Sequence, residues 1–147
     1  MGITPPRRLG TVVSDDVVTD DVVNGWAAHD IRGCIFHIAE NSVWEAAQET
    51  GIYAVASLED EGFIHCSTPE QTVATANRYY RGRNDVSLLV LQLDMLASLD
   101  VPVVWEDTSS RGEDFPHLYS ALPTHAIREI LPFTPGPTGE FTQASIG

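Results

Sequence analysis

Gly62-Phe63-Ile64-His65-Cys66-Ser67-Thr68-Pro69 joins a short apolar strand to the start of a helix. Strand alternation puts Phe63, His65 and Ser67 on one side and Ile64 and Cys66 on the other. Thr68 reads as an N-cap, with Pro69 at the first helical position. Ser67 and Glu70 have capping-box spacing. A titratable ring and a hydroxyl therefore arrive where a strand ends and the positive end of a helix begins, a place suited to anions. The same pattern also describes a half-buried histidine beside a capping serine, and this segment alone leaves both readings open.

Working outward, two more of the five histidines lie in strand-like apolar runs. His37 interrupts Cys34-Ile35-Phe36-His37-Ile38-Ala39, and His117 sits between aromatics in Phe115-Pro116-His117-Leu118-Tyr119. A histidine in an apolar run is ordinarily a core residue with its hydrogen bonds satisfied. Three in one small chain make a heavy load of buried polar groups, and convergence on one pocket is the more economical expectation. That pocket would place His37, His65 and Ser67 in one cleft and turn Ile64 and Cys66 to the core.

The surrounding segments predict the elements. Cys34–Ala39 is a strand. A helix capped at Asn41 or Ser42, with Ser42–Glu45 as a capping box, runs to about Gln48 and stops at Gly51. Tyr53–Leu58 is extended and leads to a strand over Gly62–Ser67, followed by a helix over Pro69–Tyr80. Val86–Asp94 is nearly all apolar and reads as a central strand. Val101–Trp105 and His125–Leu131 are further strands. Strand, helix, strand, helix and then a run of strands predicts an α+β domain. Composition breaks near Gly33. Residues 1–32 read as an acidic, partly disordered extension with an added edge strand, 33–133 as the globular domain, and 134–147 as a flexible tail rich in Pro, Gly and Thr.

Bulk composition narrows the function classes. The 147 residues carry a net charge of −13, and all eight basic residues are arginine. Such a balance opposes general nucleic-acid binding, which needs phosphate neutralisation, and opposes anionic membranes. It leaves room for a small anion held by a local arginine cluster, of which Arg78-Tyr79-Tyr80-Arg81-Gly82-Arg83 is the densest. Arg78 lies inside the predicted helix, whereas Arg81 and Arg83 suit its C-terminal cap. No apolar stretch has the length of a membrane span, and Arg7-Arg8 precede no signal-type run. Two cysteines, Cys34 and Cys66, without framework spacing, fit buried thiols in a reducing cytoplasmic compartment. Trp105-Glu106-Asp107 ends a strand in two acids, where a carboxylate can act as a base or hold a ribose hydroxyl. Close-spaced metal-ligand pairs, a glycine-rich phosphate loop and a Gly-x-Ser-x-Gly elbow are all absent from the sequence.

Taken in order, Ile35-Phe36-His37-Ile38, Trp44-Glu45-Ala46-Ala47, Ser57-Leu58, Gly62–Ser67, Ala76-Asn77-Arg78-Tyr79-Tyr80 and Phe115–Tyr119 resemble a widespread bacterial family of small domains with no established activity. More distantly, the layout is similar to the ADP-ribosyltransferase superfamily and, within it, the RNA 2′-phosphotransferases. That resemblance implies a split sheet with two helices, and an NAD or ADP-ribose-like ligand whose ribose and phosphates meet His37 and His65, with Arg78 on phosphate. The chain departs from the pattern in having Ile38-Ala39 where Gly-Thr or Gly-Ser is usual, and in its acidity.

These readings make His37, His65 and His117 the candidate catalytic residues. Ser67, Thr68, Asn77, Arg78, Glu106, Tyr119 and Tyr53 are the candidate ligand-binding residues. The expected function is binding of a small nucleotide or NAD-related molecule, with glycosyl or phosphoryl transfer if the protein is an enzyme. A non-catalytic ligand-binding module, or a metal-assisted hydrolase using His37, His65 and His117, are the alternatives. No cofactor, partner protein or oligomeric state is specified by the sequence.

Overall fold

The computed structural model describes residues 31–147. The extension expected over 1–32 falls, up to residue 30, outside the described residues. Strand β1 (Cys34–Glu40) is buried along all but its last residue, which is why it reads as an apolar run interrupted only by His37. It pairs antiparallel with β4 (Val86–Gln92), itself flanked on its other edge by β8 (Ile127–Pro132). β4 is therefore the central strand that its composition predicts.

A second antiparallel sheet has the order β3 (Ile64–His65), β6 (Phe115–Leu118), β5 (Val103–Glu106). A two-residue ladder joins β2 (Ile52–Tyr53) to β7 (Leu122–Pro123). The two larger sheets meet at one bridge. Phe36 N donates to Ser67 O at 2.7 Å, and Ser67 N donates to Phe36 O at 2.8 Å. Beyond that pair the sheets diverge, giving the split α+β arrangement.

Alternation along β1 serves two cores. Ile35 and Ala39 join Tyr53, Ile64, Cys66, Leu89 and Leu118 beneath helix α1 (Asn41–Thr50). Phe36 and Ile38 join Leu88, Phe133, Phe141 and Ala76 of helix α3 (Pro69–Tyr79). Cys34 and Cys66 are both buried and not joined in a disulfide, and they lie in different clusters.

Several local expectations are corrected. α1 begins at Asn41 with Glu40 at the N-cap and no side-chain cap. The Glu40 carboxylate is engaged instead by Arg83 at 2.7 Å. Asn41 Oδ1 accepts from Trp44 Nε1 and Ser87 Oγ, so it ties the helix to β4. Gly51 does stop α1, with φ of 84°. The stretch expected to be extended to Leu58 turns into α2 (Ala56–Asp60). The apolar run through Asp94 changes to helix at α4 (Leu93–Ser98), whose Leu96 is buried. The capping box at α3 is Thr68 with Gln71, one residue later than Ser67 with Glu70.

The segment after Phe133 is irregular, as its Pro and Gly content predicts, but it is packed rather than loose. Phe141 and Ile146 are buried, and Phe133 bridges Ile146. Burying a phenylalanine side chain contributes roughly 1.5–3 kcal/mol, enough to hold such a segment down. Among the described residues, no helix is long and apolar enough to cross a membrane.

Candidate functional site

The three candidate histidines separate into two environments. His37 lies on the core face of β1. Its Nδ1 is 2.6 Å from the His65 carbonyl, and its Nε2 is 2.7 Å from the Tyr53 hydroxyl. A carbonyl only accepts, so Nδ1 carries the proton and Nε2 accepts from Tyr53. Burial is the main cause that lowers the His37 pKa to about 4, so the ring is neutral near pH 7. Burial also raises the Tyr53 pKa, which keeps its hydroxyl a donor. His37 supplies a side-chain donor where the β1 backbone ceases to pair with the β3 strand.

His65 and His117 face the other way. They are direct antiparallel partners on β3 and β6, and their rings meet edge-to-face with centroids 5.2 Å apart. His117 is 2% exposed, and Phe63 stacks on it at 4.1 Å. Its Nδ1 donates to Glu106 Oε2 at 2.8 Å. The Tyr119 hydroxyl donates to the same oxygen. These bonds, the Tyr119 one first, hold the Glu106 carboxyl below its ordinary range, so it is ionised. The His117 Nε2 makes no hydrogen bond among the described residues. A carboxylate that orients an imidazole and leaves its second nitrogen bare is a general-base geometry.

Beside it stands a second pair. His65 Nε2 lies 3.2 and 3.3 Å from the two Glu61 carboxylate oxygens. Local structure explains the delivery. α2 closes on Gly62, whose φ of 92° suits glycine, and Gly62 N donates back to Ser57 O and Leu58 O. Ser57 Oγ then donates to Phe63 O at 2.8 Å. The turn therefore sets Glu61 beside His65 and Phe63 over His117.

The remaining candidates lie elsewhere. Ser67 is buried and gives its main chain to Phe36. Thr68 caps α3: its Oγ1 accepts from Gln71 N, and its N donates to Gln71 Oε1. Gln71 Nε2 extends this link to Glu113 and the Asp114 carbonyl, fixing the approach to β6. Asn77 bonds both the N and O of Phe141, so it clips the C-terminal segment. Arg78 is exposed in the last turn of α3. Arg83 pairs with Asp85 and Glu40, and Arg81 with Glu140, as C-terminal cap residues would. Asp107 accepts from Arg111 N and Gly112 N and so shapes the loop after β5, leaving Glu106 as the acid that meets a histidine.

Sequence reasoning passed over Glu61 and Phe63 as site residues. Four-residue spacing from Glu61 to His65 was the available signal, but it crosses a glycine turn rather than a helix. Two shallow hollows lie beside α1 and α2, lined by Ala54, Val55 and Leu58 and by Val43, Ala46 and Ile52. Neither includes a candidate histidine; of the paired imidazoles, His65 is half exposed and His117 is buried against Phe63. Among the described residues, no group of three His, Cys, Asp or Glu converges on a metal position.

Comparison with known proteins adds a family. A crystal structure of protein CC0527 from Caulobacter crescentus is similar with a TM-score of 0.66 and 29% identity, covering 74% of this chain and 93% of that one. The solution NMR structure of CC0527 is similar with a TM-score of 0.64 and 30% identity, covering 75% and 92%. No curated protein matches the chain. The model of a family described as protein of unknown function (DUF952) matches residues 38–130, from within β1 into β8. That span takes in the His65 and His117 strands and the Glu106 strand, and the chain belongs to the DUF952 family.

Proposed function

We propose that the protein binds a small nucleotide or NAD-related ligand on the β3–β6–β5 face and transfers a glycosyl or phosphoryl group there. The observation that carries this reading is the Glu106 carboxylate. It receives both His117 Nδ1 and the Tyr119 hydroxyl and leaves His117 Nε2 as a lone-pair base. In the transfer, Nε2 takes the proton of an attacking hydroxyl or water as the new bond to carbon or phosphorus forms. The bond to the leaving group breaks, and His65, 5.2 Å away between ring centroids, supplies a proton to the departing atom. Tyr119 offers an exposed ring against which a planar base can stack. The resemblance to the ADP-ribosyltransferase superfamily supports the ligand class.

A metal held between His37, His65 and His117 is disfavoured, because both His37 nitrogens are already engaged. Thermal melting with NAD, ADP-ribose, nicotinamide riboside and adenosine tests the proposal. A ligand present at 100 times its Kd adds about 2.7 kcal/mol of stability. The expected result is a rise of several degrees that His117→Gln abolishes in a folded protein. Failure of every ligand to move the transition would sink the proposal. Release of the free base from a stabilising ligand then separates an enzyme from a binding module.

A further inference from the structure

We infer that this face takes the nucleoside part of its ligand, neutral or cationic, and turns phosphate away. The inference rests on the binding reading above and narrows it to the nucleoside end of the ligand and to glycosyl rather than phosphoryl transfer. Two carboxylates bracket the two imidazoles: Glu61 at His65 and Glu106 at His117. Among the described residues, neither is paired with an arginine. Four arginines have partners other than these two acids: Arg81 with Glu140, Arg83 with Glu40 and Asp85, Arg111 on the Tyr79 ring and hydroxyl, and Arg128 at the Cys34 sulfur. Arg78, the anion contact expected from sequence, is exposed on α3 and bonds none of the four site residues.

On the His117 side the polar atoms that remain are acceptors. Glu106 Oε2 receives two donors, so Oε1 is open to a sugar hydroxyl. His117 Nε2 makes no hydrogen bond among the described residues, so its lone pair can accept from a ligand donor. A hydroxyl-bearing sugar supplies such donors, whereas a phosphate brings only negative oxygens. A positively charged heterocycle would gain from both carboxylates and from the exposed Tyr119 ring, which lies tilted beside Phe63. The glycosidic carbon of a nucleoside is then the reacting centre. The bond from that carbon to the base breaks with its electron pair on the base, and the hydroxyl activated by His117 forms the new bond to carbon. This chemistry needs no phosphate at the site.

Calorimetric titration of the full chain at low ionic strength with two ligand pairs provides the test: nicotinamide riboside against nicotinamide mononucleotide, and adenosine against AMP. Members of each pair differ by one phosphate. The expected result is that the phosphate weakens binding about tenfold in each pair, and that Glu61→Gln narrows the gap. Equal affinities within a pair, or tighter binding of the phosphate-bearing member, would overturn the inference. If the tighter binding also vanished in Arg78→Ala, the arginine on α3 would be the anion site. Absence of binding by all four ligands would instead bring down the ligand-binding proposal itself, and this inference with it.

Discussion

His37 and His65 sit on neighbouring strands and touch through one hydrogen bond, yet they do opposite things. His37 is surrounded by core, with both nitrogens occupied by Tyr53 and the His65 carbonyl. His65 is half exposed and displays its ring on the outer face beside His117. The same side chain serves as an internal clamp in one place and as a reagent in the other. Partner geometry makes the difference. A ring whose nitrogens are both satisfied by fixed groups has no capacity left for a ligand. A ring held at one nitrogen keeps the other for chemistry.

The comparison breaks most easily at His37. His37→Ala removes two buried hydrogen bonds, leaves the Tyr53 hydroxyl and a carbonyl unpaired, and opens a cavity. A loss of about 3–5 kcal/mol is expected in urea denaturation. A loss under about 1 kcal/mol would show that the clamp is not structural.

Acid sharpens the same point. The His37 pKa is about 4 when folded against an ordinary 6.5, so between those values the unfolded chain binds the extra proton. Stability therefore falls as pH drops through this window, is unaffected above it by this group, and stops falling below about 4. The expected contribution is about 3 kcal/mol. Subtracting the pH profile of His37→Gln from that of the parent isolates it. Parallel profiles would remove His37 as the cause.

Asn77 extends the contrast to a residue outside the histidines. It resembles a ligand contact in sequence but bonds both main-chain atoms of Phe141. Asn77→Ala should cost about 1–3 kcal/mol and raise proteolytic cleavage after Phe133, while ligand affinity stays unchanged. Weakened binding with unchanged stability would return Asn77 to the site.

His65→Gln makes the smallest change in stability, within about 0.5 kcal/mol because the ring is half exposed. It should nevertheless weaken binding of the best nucleoside ligand roughly tenfold. Intact affinity together with a large stability loss would reverse the roles assigned to the two histidines.

The strands and helices with long patterns were legible before any coordinates. The apolar run over Val86–Asp94 reads as a central strand, which it is from Val86 to Gln92, and Thr68-Pro69 reads as a helix start, because composition and capping are local properties. The short pieces were not legible. Ala56–Asp60 and Leu93–Ser98 are helices of five and six residues, too short for a period to declare itself against their neighbours. The packed C-terminal segment was hidden too, since distant contacts, among them those with Asn77, Gly82 and Phe133, give its Pro- and Gly-rich sequence a fixed place.

For the candidate site, sequence by itself determined which residues had the chemistry: three histidines in apolar strands and one acid at a strand end. Alternation correctly sent Ile64 and Cys66 to the core. Tertiary structure alone decided which of them meet. A strand pattern assigns faces but carries no record of which strand lies alongside, and pairing β3 with β6 is what brings His65 to His117. The division of β1 between two cores is what takes His37 away from them. Sequence spacing could not report either, because both are set by contacts between segments dozens of residues apart, formed as the two sheets part at the Phe36–Ser67 bridge.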